Sequence, residues 1–338
     1  MSHRSAAGQT RALGGSRRRL LPAVIVLVSL ALVAMGATGM FQYIRTYWLY
    51  RGFSAPSLPV VAVVHHGAHR ETVKVLAGTE QVIYVRSAAL GERTEAVTVY
   101  LPPGYLQHPA ERYPVFYMLH GSPGAPVNFT QILDMDYLED VLIAEHLMRP
   151  MILVAPTGTP SVFADTEWAN SPRPDNDWET YVAIEVVNTI DHRYRTIPNG
   201  SERAIGGLSE GGYGALNIAL HHPGEFRVIE SWSGYMIADP TVREAWGGHP
   251  TPSLLAYNSP AILIRTMVPT LLHDHTFIWF YCGLSDSLVA ENRSFAGELT
   301  ALGLPFEFQV RPGSHTWVLW RAMSGEALMA ASEHVARA

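Results

Sequence analysis

The stretch "GGLSEGGYGA", residues 206–215, carries Gly-x-Ser-x-Gly at Gly207, Ser209 and Gly211. A serine set between glycines serves as a nucleophile toward an ester or amide carbonyl when the chain turns sharply there and a base takes its proton. The same composition also describes an ordinary Gly-rich turn, so the flanking residues decide. "RAIGG" reads as a strand, "LSE" as the turn, and "GGYGALNIALHH" as a small-residue helix from about 212 to 221. Ser209 therefore falls at a strand-to-helix turn, where Gly207 and Gly211 must be small for helix and strand to approach. The helix N-terminus aims amide hydrogens at a developing oxyanion, and the N–H of Glu210 is the expected donor.

A serine hydroxyl needs a histidine oriented by a carboxylate. Fifteen histidines compete for the role. His315, in "RPGSHTWVLW", follows the predicted strand "PFEFQVRPG" and precedes the last helix, at the same sheet edge as Ser209. His221 and His222 lie a helix length from Ser209, and His273 and His275 precede a strand. Asp286, in "YCGLSDSLV", follows one strand as His315 follows the next, and adjacent strand ends bring their loops together. Glu291 is the alternative carboxylate, five residues on and already in a predicted helix, while Asp274 sits ahead of its strand. The order Ser, Asp, His is that of the α/β-hydrolases. A second oxyanion donor is expected from the loop "FYMLHGSPGAPVNF", where the His-Gly step bends the backbone and presents the N–H of Ser122. With His315 available as base, His120 is assigned to shaping that loop; His120, Trp168 and Trp317 are the candidate substrate contacts.

These residues need a scaffold, and the chain supplies alternating elements. "EAVTVYLP" alternates like a half-exposed edge strand, while "YPVFYMLHG" and "PMILVAPTG" are short apolar runs that fit buried parallel strands. "DWETYVAIEVVNTIDHRY" places Tyr181, Ile184, Val187 and Ile190 at helical spacing. The strand "RVIESWSG" comes next, then a Pro-punctuated insert at 239–273, the strand "TFIWFYCG" and a helix near 289–302. Such alternation predicts an α/β fold with a mostly parallel sheet and helices on both faces, whose ligands bind at the carboxyl ends of the strands. The insert's Trp246, Leu254, Leu255, Ile262, Leu263 and Ile264 suit either a cap that contacts an acyl chain or core packing.

Ahead of this domain, Leu20 to Phe41 hold no charged residue over 22 positions, enough to span a bilayer core of about 30 Å as a helix. Arg17, Arg18 and Arg19 precede the run and predict a cytoplasmic N-terminus, with the rest carried across the membrane. A cleaved signal peptide is the alternative, but the run is longer than an ordinary signal core and no clean Ala-x-Ala site follows. The expected organisation is a basic tail at 1–19, a membrane helix at 20–41, a linker at 42–75 and a catalytic domain at 76–338. The net charge is −6 although residues 1–19 carry five arginines and no acid, so the main body is acidic and a nucleic-acid partner is not expected. Cys282 is the only cysteine, which excludes an intrachain disulfide, and it reads as a buried strand residue. His65, His66 and His69 have ligand spacing but no carboxylate and no fixed scaffold, so no metal is expected, nor any cofactor. The sequence is silent on oligomeric state.

Six ordered motifs, "VTVYLPPGY", "YPVFYMLHG", "DWETYVAIEVVNTID", "GLSEGGYGALNIALHHPGEF", "SWSGY" and "GLSD" followed by "GSHTWVLW", resemble the putative-esterase group of α/β-hydrolases over about residues 80–335. That group includes esterase D, feruloyl esterases and the antigen 85 mycolyltransferases. The resemblance implies Ser209 as nucleophile, Asp286 as acid, His315 as base, and the Ser122 and Glu210 amides as oxyanion hole. "SVFADTEWAN", "DWETY", "SGYM" and Trp317 look closest to the antigen 85 side. Two features depart from it: the acid is Asp rather than Glu, and an apparent anchor replaces a cleaved signal. The expectation is a membrane-anchored, extracytoplasmic serine esterase acting on acyl esters of lipid, glycolipid or cell-envelope substrates. The alternative is an acyltransferase of the mycolyltransferase type; a non-catalytic binding module is the remote third reading.

Overall fold

A computed structural model describes residues 62–66, 69–73, 75–161 and 164–336, together with Ser29. The basic tail at 1–19 and, Ser29 apart, the apolar run at 20–41 lie outside the described residues. Among the described residues no helix is long and apolar enough to cross a membrane. Within the segment expected as linker, β1 (Ala62–His66) and β2 (His69–Val73) pair antiparallel. The side chains of His65, His66 and His69 lie outside what is described, and no metal-type cluster occurs among the described residues.

The main sheet has eight strands: β3 (Thr79–Ser87), β4 (Arg93–Leu101), β5 (Val115–Leu119), β6 (Ile152–Pro156), β7 (Arg203–Leu208), β8 (Val228–Trp232), β9 (Phe277–Gly283) and β10 (Phe306–Arg311). Their order is β10-β9-β8-β7-β5-β6-β4-β3. From β10 to β6 every pairing is parallel, while β4 runs antiparallel to both β6 and β3. The fold is thus α/β-hydrolase-like. β5, β6, β7 and β8 are buried at every position, as expected where helices cover both faces of a sheet. "EAVTVYLP" belongs to β4, which is not the edge expected from its alternation. β3 pairs along its full length from Ser87↔Arg93 to Thr79↔Leu101 and takes the edge, with its own solvent-facing residues alternating.

Strand alternation divides the core. Tyr117, Ile205, Ile229 and Phe280 point to one side, where they meet Ala215, Leu216, Ile218 and Ala219. On the other side Phe116 and Phe129 each meet the Trp232 ring edge-on at 6.2 Å. The helices that matter for the site are α1 (Met135–Ala144), α2 (Val187–Arg193), α3 (Glu210–His221), α4 (Pro252–Tyr257), α5 (Pro260–His273), α6 (Val289–Leu302) and α7 (Trp317–His334).

Two details differ from the helical spacing read in the sequence. A π-helical segment, Tyr181–Val186, leads into α2, and its wider turn changes which residues face inward. Val182, Ala183 and Val186 are buried, while Ile184 is 43% exposed. The insert at 239–273 divides between two tasks. Ile264 joins the main core from α5, and Trp246 packs in a smaller cluster with Ala169, Tyr213, Ala238 and Ala245. Ile262 instead faces solvent.

Candidate active site

Parallel pairing brings the ends of β5, β7, β9 and β10 to one edge. At the last rung between β9 and β10, Gly283 pairs with Arg311. Backbone bonds extend that pairing outward: the Leu284 amide donates to the Arg311 carbonyl and the Ser285 amide to the Gly313 carbonyl, each at 2.8 Å. Asp286 and His315 therefore leave the sheet side by side. β7 lies two strands away from β9, and its terminal turn presents Ser209 toward them.

Ser209 adopts φ 55° and ψ −120°, a conformation that a non-glycine residue occupies only under constraint. Its amide donates to the Trp232 carbonyl at 2.9 Å, and its carbonyl accepts from the Gly212 and Tyr213 amides at 3.0 and 3.1 Å. The turn is therefore tied to both β8 and α3. The two flanking glycines allow it: a Cβ on Gly207 or on Gly211 would overlap the Leu119 carbonyl of β5.

Ser209 Oγ lies 2.8 Å from His315 Nε2, and His315 Nδ1 lies 2.9 Å from Asp286 Oδ2. A carboxylate can only accept, so Nδ1 carries the proton and Nε2 is left to accept from the serine hydroxyl. The Asp286 side chain is 0% exposed and the His315 side chain 35%. Burial alone would raise the Asp286 carboxyl. The His315 hydrogen bond and the Leu288 amide at 3.0 Å outweigh it and hold the group below its ordinary value, with a smaller contribution from Ser233. Glu291, the alternative carboxylate, accepts the Met236 amide at 2.7 Å instead. Of the discounted histidines, His221 and His222 both bond to Glu179, and His273 bonds to Asp274.

The loop after β5 passes against Ser209, since a Cβ on Gly121 would come 3.1 Å from that of Ser209. The amides of Ser122 and Glu210 donate to no hydrogen bond among the described residues, so both are available to an outside acceptor. His120 does not meet substrate as a candidate contact would. It is buried, its Nδ1 donates to the Gly121 carbonyl at 2.9 Å and its Nε2 accepts from the Gly158 amide at 3.0 Å. Burial pushes its imidazole down to about 4. Trp168 is likewise buried, donating its indole N–H to the His120 carbonyl at 3.0 Å with its ring edge-on to the imidazole at 5.0 Å. Trp317 is also buried, edge-on to Trp320, which in turn meets the His315 ring at 4.9 Å. All three rings are buried, so none is exposed to an incoming ligand. Cys282 is buried as expected, and its thiol is pushed up to about 12 by burial and by Asp286.

Sequence reasoning missed the acidic layer under the turn. The Glu210 carboxyl is buried near Asp165 and Glu167, and burial followed by the charges of those two acids raises it well above its ordinary value; the Glu167 amide itself donates to Asp165 Oδ1 at 3.1 Å. The Tyr235 hydroxyl donates to Glu167 at 2.7 Å. The closely spaced acids of "ADTEW" were the available signal, but nothing in their spacing says that they turn inward. Ser233 was also missed, although it follows β8 as Ser209 follows β7.

Residues 87–329 match the family described as putative esterase. An esterase of Mycobacterium tuberculosis (strain ATCC 25618 / H37Rv) is 25% identical over 251 residues, 65% of this chain and 52% of that protein. The diacylglycerol acyltransferase/mycolyltransferase Ag85A of Mycobacterium leprae (strain TN) is 30% identical over 125 residues, 31% of this chain and 35% of that one. A solved ferulic acid esterase is similar with a TM-score of 0.66 and 26% identity, covering 76% of this chain and 99% of that structure. The chain spans about half the length of the first curated relatives it matches.

Proposed function

The chain belongs to the putative-esterase family, and on that premise we propose that Ser209, His315 and Asp286 form the catalytic triad of an esterase working through an acyl-enzyme. The observation that carries this reading is the hydrogen-bonded line from Ser209 through His315 to Asp286, at 2.8 and 2.9 Å. Ser209 Oγ attacks the ester carbonyl carbon while His315 Nε2 takes its proton. The amides of Ser122 and Glu210 hold the oxyanion of the tetrahedral intermediate. His315 returns the proton to the departing alcohol, and water, activated by the same imidazole, releases the acid from Ser209. Asp286 keeps the imidazolium oriented and stabilised throughout.

In this reading residues 20–41 anchor the chain as a single-pass membrane helix with 1–19 in the cytoplasm, and the catalytic domain at 76–338 is extracytoplasmic. An anchored site faces the bilayer or the wall, which favours an acyl ester of a lipid, glycolipid or envelope component as substrate. A second reading, transfer of the acyl group to a sugar hydroxyl in place of water, shares the first half-reaction and is favoured by the partial similarity to the mycobacterial acyltransferase.

A fluorophosphonate probe tests the chemistry: it should label the wild type and leave Ser209→Ala unlabelled. Equal labelling of both would sink the triad. Mass spectrometry of membrane lipids incubated with the two proteins tests the substrate class, and an unchanged lipid ester profile would remove the envelope substrate. Acyl transfer from a trehalose ester to an added sugar, against release of free acid, separates the two readings.

A further inference from the structure

The loop after β5 carries the proposed oxyanion donor, the Ser122 N–H, and that N–H shares a trans peptide with the Gly121 carbonyl. The unit is planar and its two polar groups point in opposite directions, so whatever fixes the carbonyl fixes the aim of the N–H. His120 supplies that fixture, with Nδ1 2.9 Å from the Gly121 oxygen. The tautomer is set from the other side of the ring: the Gly158 amide donates to Nε2 at 3.0 Å, so Nδ1 carries the proton and donates. Gly124 folds over the same bond, since a Cβ there would come 2.3 Å from the Gly121 oxygen and 3.0 Å from His120 Nδ1. An apolar ring would fill the same space and make neither bond.

Trp168 fixes the preceding peptide. Its indole N–H donates to the His120 carbonyl at 3.0 Å, so two consecutive peptides each have their carbonyl bonded to a buried ring. The bonds close on themselves: Thr166 Oγ1 donates to the Gly158 carbonyl at 2.5 Å and accepts the Trp168 amide at 3.3 Å, and Gly158 is the residue that holds the His120 ring. Trp168 takes φ 50°, a left-handed backbone that a bulky residue adopts only under constraint. It also packs on α3, where a Cβ on Gly214 would come 2.6 Å from that of Trp168. One side chain thus touches both the loop that carries the Ser122 amide and the helix that begins with Glu210.

We infer that His120 and Trp168 are positioning residues for the oxyanion hole: the imidazole sets the direction of the Ser122 N–H through the Gly121 carbonyl, and Trp168 sets its separation from the Glu210 N–H. A donor stabilises an oxyanion fully only when it is aimed before the charge develops, because reorienting it during the reaction consumes the energy it supplies. Donation into the Gly121 carbonyl also polarises the shared peptide and strengthens its N–H. The inference rests on the esterase reading and adds the residues that hold its oxyanion hole.

Asparagine and glutamine divide the two contacts of the imidazole. The Asn carboxamide nitrogen falls near the place of Nδ1 and can donate to the Gly121 carbonyl, whereas the Gln carboxamide reaches the place of Nε2 and can accept only from Gly158. On 4-nitrophenyl octanoate, His120→Gln should lower kcat by roughly 10–100-fold, less than the loss of a whole oxyanion donor, while His120→Asn stays within about threefold of wild type. KM should hold in both, because an aimed N–H acts on the transition state alone. Trp168→Phe keeps the bulk against α3 without the indole N–H and should lower kcat roughly fivefold, again at constant KM. The Ki of octyl trifluoromethyl ketone, whose hemiketal oxygen takes the charge, should rise with each loss of kcat. An equal or larger loss in His120→Asn than in His120→Gln would make the Gly158 contact the one that matters and overturn the inference. Wild-type kcat in His120→Gln, or a loss carried by KM, would overturn it too. Ser209→Ala separates the two readings: if it cleaves the ester at the wild-type rate, the esterase reading fails and this inference with it. An inactive Ser209→Ala beside a fully active His120→Gln overturns the inference alone.

Discussion

Asp286 and His315 meet at 2.9 Å with the carboxylate fully buried and the imidazole about a third exposed. The charge is thus screened from water where it orients the ring, and the ring stays open to substrate. Asp286→Asn keeps the shape and removes the charge, and its amide can donate to Nδ1, which turns the proton to Nε2. That tautomer cannot accept from Ser209. In the serine-protease triad the same change costs about 10⁴ in kcat. For this chain kcat on 4-nitrophenyl octanoate should fall by roughly 10²–10⁴ with the melting temperature little changed. A loss under fivefold would remove Asp286 from the mechanism.

His120 sets an acid limit. Its imidazole is pushed from 6.5 down to about 4 by burial, so the folded protein binds its proton less readily than the unfolded chain. Stability is therefore complete above about 6.5 and is lost as the pH falls toward about 4, by roughly 3 kcal/mol at 1.36 kcal/mol per unit. Urea titrations between pH 7 and 4 should show this slope. His120→Gln, which cannot titrate, should be less stable at pH 7 but lose less on acidification. Parallel pH curves for the two proteins would assign the acid loss elsewhere.

The Glu210 carboxyl acts in the opposite direction. Its value is raised well above 4.5, so its contribution is present below about 4.5 and is lost as the pH rises toward the folded value. Glutamine imitates the size and neutrality of the protonated acid beside Asp165 and Glu167. Thermal melts from pH 5 to 9 should show Glu210→Gln gaining on the wild type as the pH rises. A constant offset would mean that Glu210 is not the group that titrates.

The legible parts of this protein were those set by chain order and backbone periodicity. Ser209, Asp286 and His315 each follow a strand that the apolar runs already marked, and a parallel sheet must deliver such residues to one edge. The loop-shaping role of His120 was legible from its place beside Gly121, but the burial of Trp168 and Trp317 was not, because it depends on what packs over a strand-end ring from distant segments. The same holds for β3, where Val82, Ile83, Tyr84 and Val85 form an apolar run in sequence although only Ile83 and Val85 are buried, and for the burial of Glu210 near Asp165. The exposure of Ile184 follows from a π-helical turn that no apolar spacing announces.

Gly211 offers the sharpest test of how the turn is held. Its α-carbon sits where α3 begins against β5, and an added methyl would overlap the Leu119 carbonyl and approach the His120 carbonyl. Neither atom can yield cheaply, because Leu119 pairs with Gly207 in the sheet and the His120 carbonyl accepts the Trp168 indole. Gly211→Ala must push α3 away from β5 and carry Ser209 with it, at a cost of roughly 3 kcal/mol or more. Gly297, on the exposed side of α6 with nothing near its would-be Cβ, is the control, and there alanine should stabilise by about 0.5–1 kcal/mol through helix propensity. Chemical denaturation of the two variants beside the wild type measures both signs, and fluorophosphonate labelling reports the nucleophile. If Gly211→Ala kept wild-type stability and labelling rate, close approach of helix and strand would not be what holds Ser209 in its strained conformation.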